Sequence, residues 1–140
     1  MFHTLTCLGM LLFSAVAPAQ EPAVPKELLP VQGNWVVTLF NGEAPPVEIA
    51  LIIKGNKYDN TVNGESQETG TIKFDPSKTP AWFDLVIETG NDAGKVQLGL
   101  IQLAGDTAII KLTVAGTTTR PESLDADTSG AFVVNVERRK

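Results

Sequence analysis

The sequence predicts an all-β domain, an eight-stranded antiparallel up-and-down barrel, with a small β-sandwich as the competing shape. Three observations lead there. Apolar residues after Pro30 recur at every second position in short runs, clusters of Gly, Asn, Asp and Pro separate those runs, and no window sustains a helical repeat for three turns. Eight such runs without crossover helices can avoid exposed edges by closing on themselves. With 140 residues, 43% of them hydrophobic and 19% charged, the chain fits one small domain and not two.

Residues 1–19 read as a signal peptide. The apolar stretch from Leu5 to Val16 is broken only by Thr6, Cys7, Gly9 and Ser14, and Ala17-Pro18-Ala19 offers the small residues that a signal peptidase site requires. The stretch is shorter than the roughly 20 apolar residues of a spanning helix, and no later segment is a membrane candidate. Export to a periplasmic or extracellular location follows as an expectation. Residues 20–30 carry Pro22, Pro25 and Pro30, which argues against a regular element and for an N-terminal arm. Residues 31–140 form the predicted barrel.

The strands follow in order. Trp35, Val37 and Leu39 share one face of the first, with Val36, Thr38 and Phe40 on the other; Asn41-Gly42 turns the chain and Pro45-Pro46 ends pairing. Ile49, Leu51 and Ile53 begin the next face, Gly55-Asn56 turns into a strand from Lys57 to Val62, and Asn63-Gly64 leads to a strand ending at Phe74, where Ile72 and Phe74 point the same way. Phe83, Leu85 and Ile87 alternate with Asp84, Val86 and Glu88; Val96, Leu98 and Leu100 form the next run. Ala108, Ile110, Leu112 and Val114 follow the turn at Gly105, and Phe132, Val134 and Val136 close the series.

Charge and composition exclude several function classes. A net charge of -5, with the basic cluster Arg138-Arg139-Lys140 at one end, provides no phosphate-binding surface, so nucleic acid is not an expected partner. The lone Cys7 and the lone His3 both fall in the leader. Once it is removed, the domain has no disulfide, no thiolate nucleophile, no His-ligated metal and no imidazole to move protons. No cofactor is expected, and no catalysis.

At this point the chain resembles a known family. Val31-Gln32-Gly33-Asn34-Trp35 is similar to the Leu-Gln-Gly-x-Trp opening of a lipocalin-like domain of unknown function found in planctomycete proteins. The segment from Gly70 to Leu85, with Asp75-Pro76, Lys78, Pro80 and Asp84, is similar to that family's Gly-x-x-x-x-Asp-Pro-x-Lys-x-Pro-x-x-Ile-Asp. Gly105-Asp106-Thr107 and Arg120-Pro121-Glu122-Ser123-Leu124 also match, in the same order. The chain departs from the pattern where the family often has a cysteine after Gly-Asp-Thr. The resemblance implies a lipocalin-like barrel and brings no established activity. It also implies that Gly33, Trp35 and Arg138 close one end, with the guanidinium of Arg138 lying over the indole.

Candidate sites are few. Leu39, Phe74, Phe83, Leu85, Leu100, Leu112 and Phe132 form the prospective interior, where they either line a pocket for a small apolar ligand or fill the core. An eight-stranded barrel is just wide enough for its own side chains, and Phe74, Phe83 and Phe132 favour filling. Arg120 is placed to bind a carboxylate, of a ligand or, by preference, of the barrel itself. Asp84 and Glu88 are expected to face water. Asp125-Ala126-Asp127-Thr128-Ser129-Gly130 has half of a calcium loop but lacks the bidentate Glu, since Val136 stands at its position, so a polar loop is the better reading. Asp75-Pro76-Ser77-Lys78 reads as a type I turn rather than a Ser/Lys nucleophile. Two functions remain: an exported, non-catalytic binding protein for a small apolar molecule, or a packed barrel acting as an interaction module for a protein or envelope component.

Overall fold

The computed structural model describes residues 23–125 and 129–140; the leader, with His3 and Cys7, and Ala126 to Thr128 of the polar loop lie outside them. The alternating runs become strands β1 (Gly33–Phe40), β2 (Ile49–Lys54), β3 (Lys57–Val62), β4 (Glu65–Asp75), β5 (Ala81–Ile87), β6 (Val96–Gln97), β7 (Gly99–Ala104), β8 (Thr107–Thr113) and β9 (Ala131–Arg139). Each pairs antiparallel with its neighbour in sequence except β6 and β7, which both pair with β5, and β9 returns to pair with β1, so the sheet closes. β6 is a two-residue extra strand in line with β7, separated from it at Leu98 and holding the same register on β5. A closed eight-stranded up-and-down barrel results, and no second sheet exists among the described residues to make a sandwich.

Chain direction defines two ends. The first residues of β1 and β3 and the last of β9 meet at one end, together with the Gly55 turn. The last residues of β1, β3 and β8 and the first of β9 meet at the other. The proline-rich arm is not irregular throughout. Lys26–Val31 forms a 3-10 helix that contains Pro30, in which Leu28 N–H donates to the Pro25 carbonyl at 2.9 Å. So short a piece leaves Pro25 as its cap and loses little to the missing amide of Pro30. It delivers Leu28 and the fully buried Val31 to the core.

Residues that face each other across a ladder share a side of the sheet, which fixes what points inward. Trp35, Leu51, Ile53, Tyr58, Ile72, Phe83, Leu85, Ile110 and Val136 form the core, with Phe74 and Phe132 packed against it.

Two predicted interior residues are not there. A register shift between Val37 and Leu39 in the β1–β9 ladder reverses the alternation, so Leu39 stands opposite Asn135 and is 36% exposed, while Phe40 turns inward. On β7 the phase is the opposite of the expected one. Ile101 pairs with Ile110 inside, whereas Leu100 pairs with Lys111 and Trp82 on the outer wall. Leu100 is nonetheless buried, because the β8–β9 connection lies over that wall. An apolar residue there satisfies the same hydrophobic demand as one in the core, and alternation cannot separate them. Val114, expected to continue β8, lies past its end and is exposed.

Candidate functional site

The first end of the barrel is filled. Gly33 opens β1 with φ +129°, and a Cβ there would meet the Arg138 stem at 3.2 Å, so the side chain of Arg138 passes directly over it. The Arg138 guanidinium lies 4.4 Å from the centre of the Trp35 ring and donates to the Pro30 carbonyl at 2.9 Å. Trp35 itself is buried, and its indole N–H donates to the Val31 carbonyl at 2.9 Å. Gln32 adds a clasp to the β2–β3 turn: its amide donates to Gly55 O at 2.8 Å and accepts from Gly55 N at 2.6 Å. Gly33, Trp35 and Arg138 therefore stand together where the resemblance implied. Two polar atoms buried at this end lack a hydrogen-bond partner, Asn34 Oδ1 and Arg138 Nε, the latter 3.7 Å from an Asp106 oxygen.

The second end is open. A cavity of about 240 Å³ enters the barrel there, walled by Val37, Ile49, Leu51, Leu85, Ile110, Leu112, Val134 and Val136, with Phe40 and Phe132 stacked at 5.4 Å between centroids. Of the residues expected to form the interior, Leu85, Leu112 and Phe132 line this cavity; Phe74 and Phe83 belong to the packed core outside its lining. The interior is thus filled in one half only.

Three polar side chains face the cavity: Asn60, Glu68 and Gln97. Asn60 and Glu68 are directly opposite in the β3–β4 ladder, just before a bulge. Tyr58, two residues earlier on the same face, donates its hydroxyl to Glu68 Oε2 at 2.9 Å. Its ring fits because residue 70 is Gly; a Cβ there would stand 2.8 Å from Tyr58 Cε1 and 2.0 Å from the Val86 carbonyl. Burial raises the Glu68 carboxyl above its ordinary value, an effect opposed by the Tyr58 hydrogen bond and increased by the charge of Asp92. Burial and the neighbouring Glu68 likewise hold the Tyr58 phenol in its neutral form. Gln97 donates to the Thr113 carbonyl at 3.1 Å.

None of these polar residues stood out as a motif. The parity of β3 does carry the signal, since Tyr58, Asn60 and Val62 alternate with the charged Lys57 and Asp59. Glu68 and Gln97 give none, because each is a polar residue at a position the barrel turns inward.

The outer wall holds a second, structural cluster. Arg120 forms a bidentate pair with Asp84, at 2.5 and 2.8 Å, and donates to Gly99 O at 2.8 Å; Asp84 in turn accepts from Gly99 N at 3.2 Å. These side chains take over the pairing of the Gly99 backbone, which has no ladder partner on β5. With 18% and 13% side-chain exposure, the pair is largely buried, and Asp84 is not the solvated residue expected from its outward position. The Arg120 guanidinium also lies 4.1 Å from the Trp82 ring centre. Arg120 therefore serves the barrel's own carboxylate. Nearby, Lys111 is 6% exposed and donates to Asp125 at 3.1 Å.

The remaining motifs behave as turns and surface pairs. Ser77 donates its hydroxyl to Asp75 at 2.6 Å, and Lys78 lies 4.8 Å from the Trp82 ring centre, so the amine does not activate the hydroxyl. Glu88 is exposed and bonded to Lys57 and Thr71. Val136, the twelfth position of the half calcium loop, is in the core. Among the described residues there is no group of His, Cys, Asp and Glu able to hold a metal ion, and no helix long and apolar enough to cross a membrane.

Comparison of the chain with protein-family models, with curated proteins and with solved structures finds no match.

Proposed function

We propose that the protein is an exported, non-catalytic carrier that holds a small apolar molecule in the open half of its barrel. The observation that supports it is the 240 Å³ cavity, apolar on most of its wall and open to solvent beside Phe40 and Phe132. Pockets for drug-sized ligands span roughly 300–1,000 Å³, so the occupant is small. A few polar groups in an otherwise apolar wall are the usual way such a site orients its ligand, and Asn60 and Glu68, opposite each other in the β3–β4 ladder, meet that description, with Gln97 elsewhere on the wall. The leader pattern supports export, and the closed eight-stranded barrel is compatible with a lipocalin-like fold.

Native mass spectrometry of the protein isolated from its own source tests this directly. A recurrent bound mass below that of a drug-sized ligand is expected. The bare chain alone, in every preparation, counts against a carrier and in favour of the packed interaction module.

A further inference from the structure

We infer that the cavity is built for a small apolar amine, with the Glu68 carboxylate as the anchor for its ammonium group. The inference rests on the carrier reading and goes further by naming the ligand class.

Three observations support it. Glu68 is the sole ionisable residue lining the cavity among the described residues; no Lys, Arg or His joins it, and its polar companions Asn60 and Gln97 are neutral amides. Its Oε2 accepts from Tyr58, whereas Oε1 makes no hydrogen bond to another described residue and is not sealed from solvent, so one oxygen of a partly buried carboxylate is accessible to a donor entering the cavity. The wall around it is hydrophobic on the opposing strands, through Leu51, Leu85 and Val134, and a charge in such surroundings favours an opposite charge more strongly than in water.

Ligand classes separate on these grounds. A fatty-acid carboxylate would face a like charge with no cation to offset it. A neutral alcohol gives Oε1 a single hydrogen bond and brings no counter-charge. An ammonium offers a charge-assisted bond to Oε1 and further donors for the neutral amide of Asn60, which stands directly opposite Glu68 in the β3–β4 ladder. The raised carboxyl of Glu68 is consistent with this, because a desolvated carboxylate gains most from a cation. The Asp92 charge that contributes to the shift acts in the same direction.

The test is calorimetric titration of the full domain at neutral pH with n-hexylamine, 1-hexanol and hexanoate, which share a chain and differ in head group. Hexylamine is expected to bind about tenfold tighter than 1-hexanol, and hexanoate weakest. In Glu68→Gln the amine advantage is expected to fall to about twofold or less while 1-hexanol binding persists. Tyr58→Phe, which keeps the carboxylate, should retain the advantage. Equal or tighter binding of 1-hexanol or hexanoate by the unmodified protein overturns the amine assignment and leaves the carrier standing. Absence of binding by all three overturns both.

Discussion

The two ends of the barrel use the same strands and reach opposite results. At the Trp35 end, a 3-10 helix, a buried indole, an arginine laid over it and a glutamine clasp occupy the space between strands. At the Phe132 end, the same sheet runs out to an open rim, and the interior between Leu51, Leu85 and Val134 is left empty. Nothing in the barrel's circumference requires this difference. The difference arises from what each end receives: one is closed by the chain segment that precedes β1, while the long β8–β9 connection that leaves the other is laid down the outer wall and held there by Arg120 on Asp84. A segment that covers the wall cannot also plug the mouth.

Truncation tests the contrast most strongly. Trp35→Ala is expected to cost about 3–5 kcal/mol, because the indole is close-packed and its loss also removes the hydrogen bond to the Val31 carbonyl and the ring beneath Arg138. Phe132→Ala at the open rim is expected to cost only about 1–2 kcal/mol, since one side of the ring faces the cavity. Urea midpoints of the two variants check this, and equal costs would dissolve the distinction between the ends. Next in size, Asp84→Ala is expected to lose about 3 kcal/mol by leaving a largely buried guanidinium unpaired. Proteolysis in the β8–β9 connection should increase in that variant well before global unfolding, if the connection is held as described.

Smaller effects sharpen the account. Arg138→Gln is expected to cost about 1 kcal/mol through loss of the contact with the indole, measured by thermal unfolding. Glu68→Gln is expected to be neutral to slightly stabilising at neutral pH, by under about 1 kcal/mol. The sign follows from linkage: a carboxyl raised in the folded state binds its proton more tightly there than in the unfolded chain. Its contribution to stability therefore falls as pH rises through the folded value, and the isosteric amide removes that loss. The difference between variant and parent should vanish in acid, below the ordinary carboxyl range. An advantage that grows on acidification would contradict the assigned direction.

Much of the fold was legible, because strand alternation and Gly-Asn turns are local signals. Turn residues such as Asn41-Gly42, Gly55-Asn56 and Asn63-Gly64 sit where expected, and the placement of Gly33, Trp35 and Arg138 followed from the resemblance. Failures came where a non-local feature set the outcome. One inserted residue at the β1 bulge sends Leu39 out and Phe40 in, and nothing in Val37-Thr38-Leu39-Phe40 announces it. Leu100 and Ile101 are adjacent and equally apolar, and the face each takes depends on a connection that begins more than ten residues later in the chain. Arg120 was readable as a partner for a barrel carboxylate, yet Asp84 was read as solvated, since a strand's alternation says which way a side chain points and not what will cover it. Glu68 was invisible for the related reason that an inward carboxylate conflicts with the pattern used to find the interior.

The measurement that tests the central claim most directly is a methyl and side-chain amide NMR titration of the protein with 1-hexanol, read at both ends of the barrel at once. The account predicts that the Leu85, Leu112 and Val134 methyl signals and the Asn60 and Gln97 side-chain amides shift together, while Ile53 and the Trp35 indole N–H remain in place. Shifts distributed evenly over both ends, or confined to the outer wall around Trp82, would contradict a barrel that is filled at one end and open at the other.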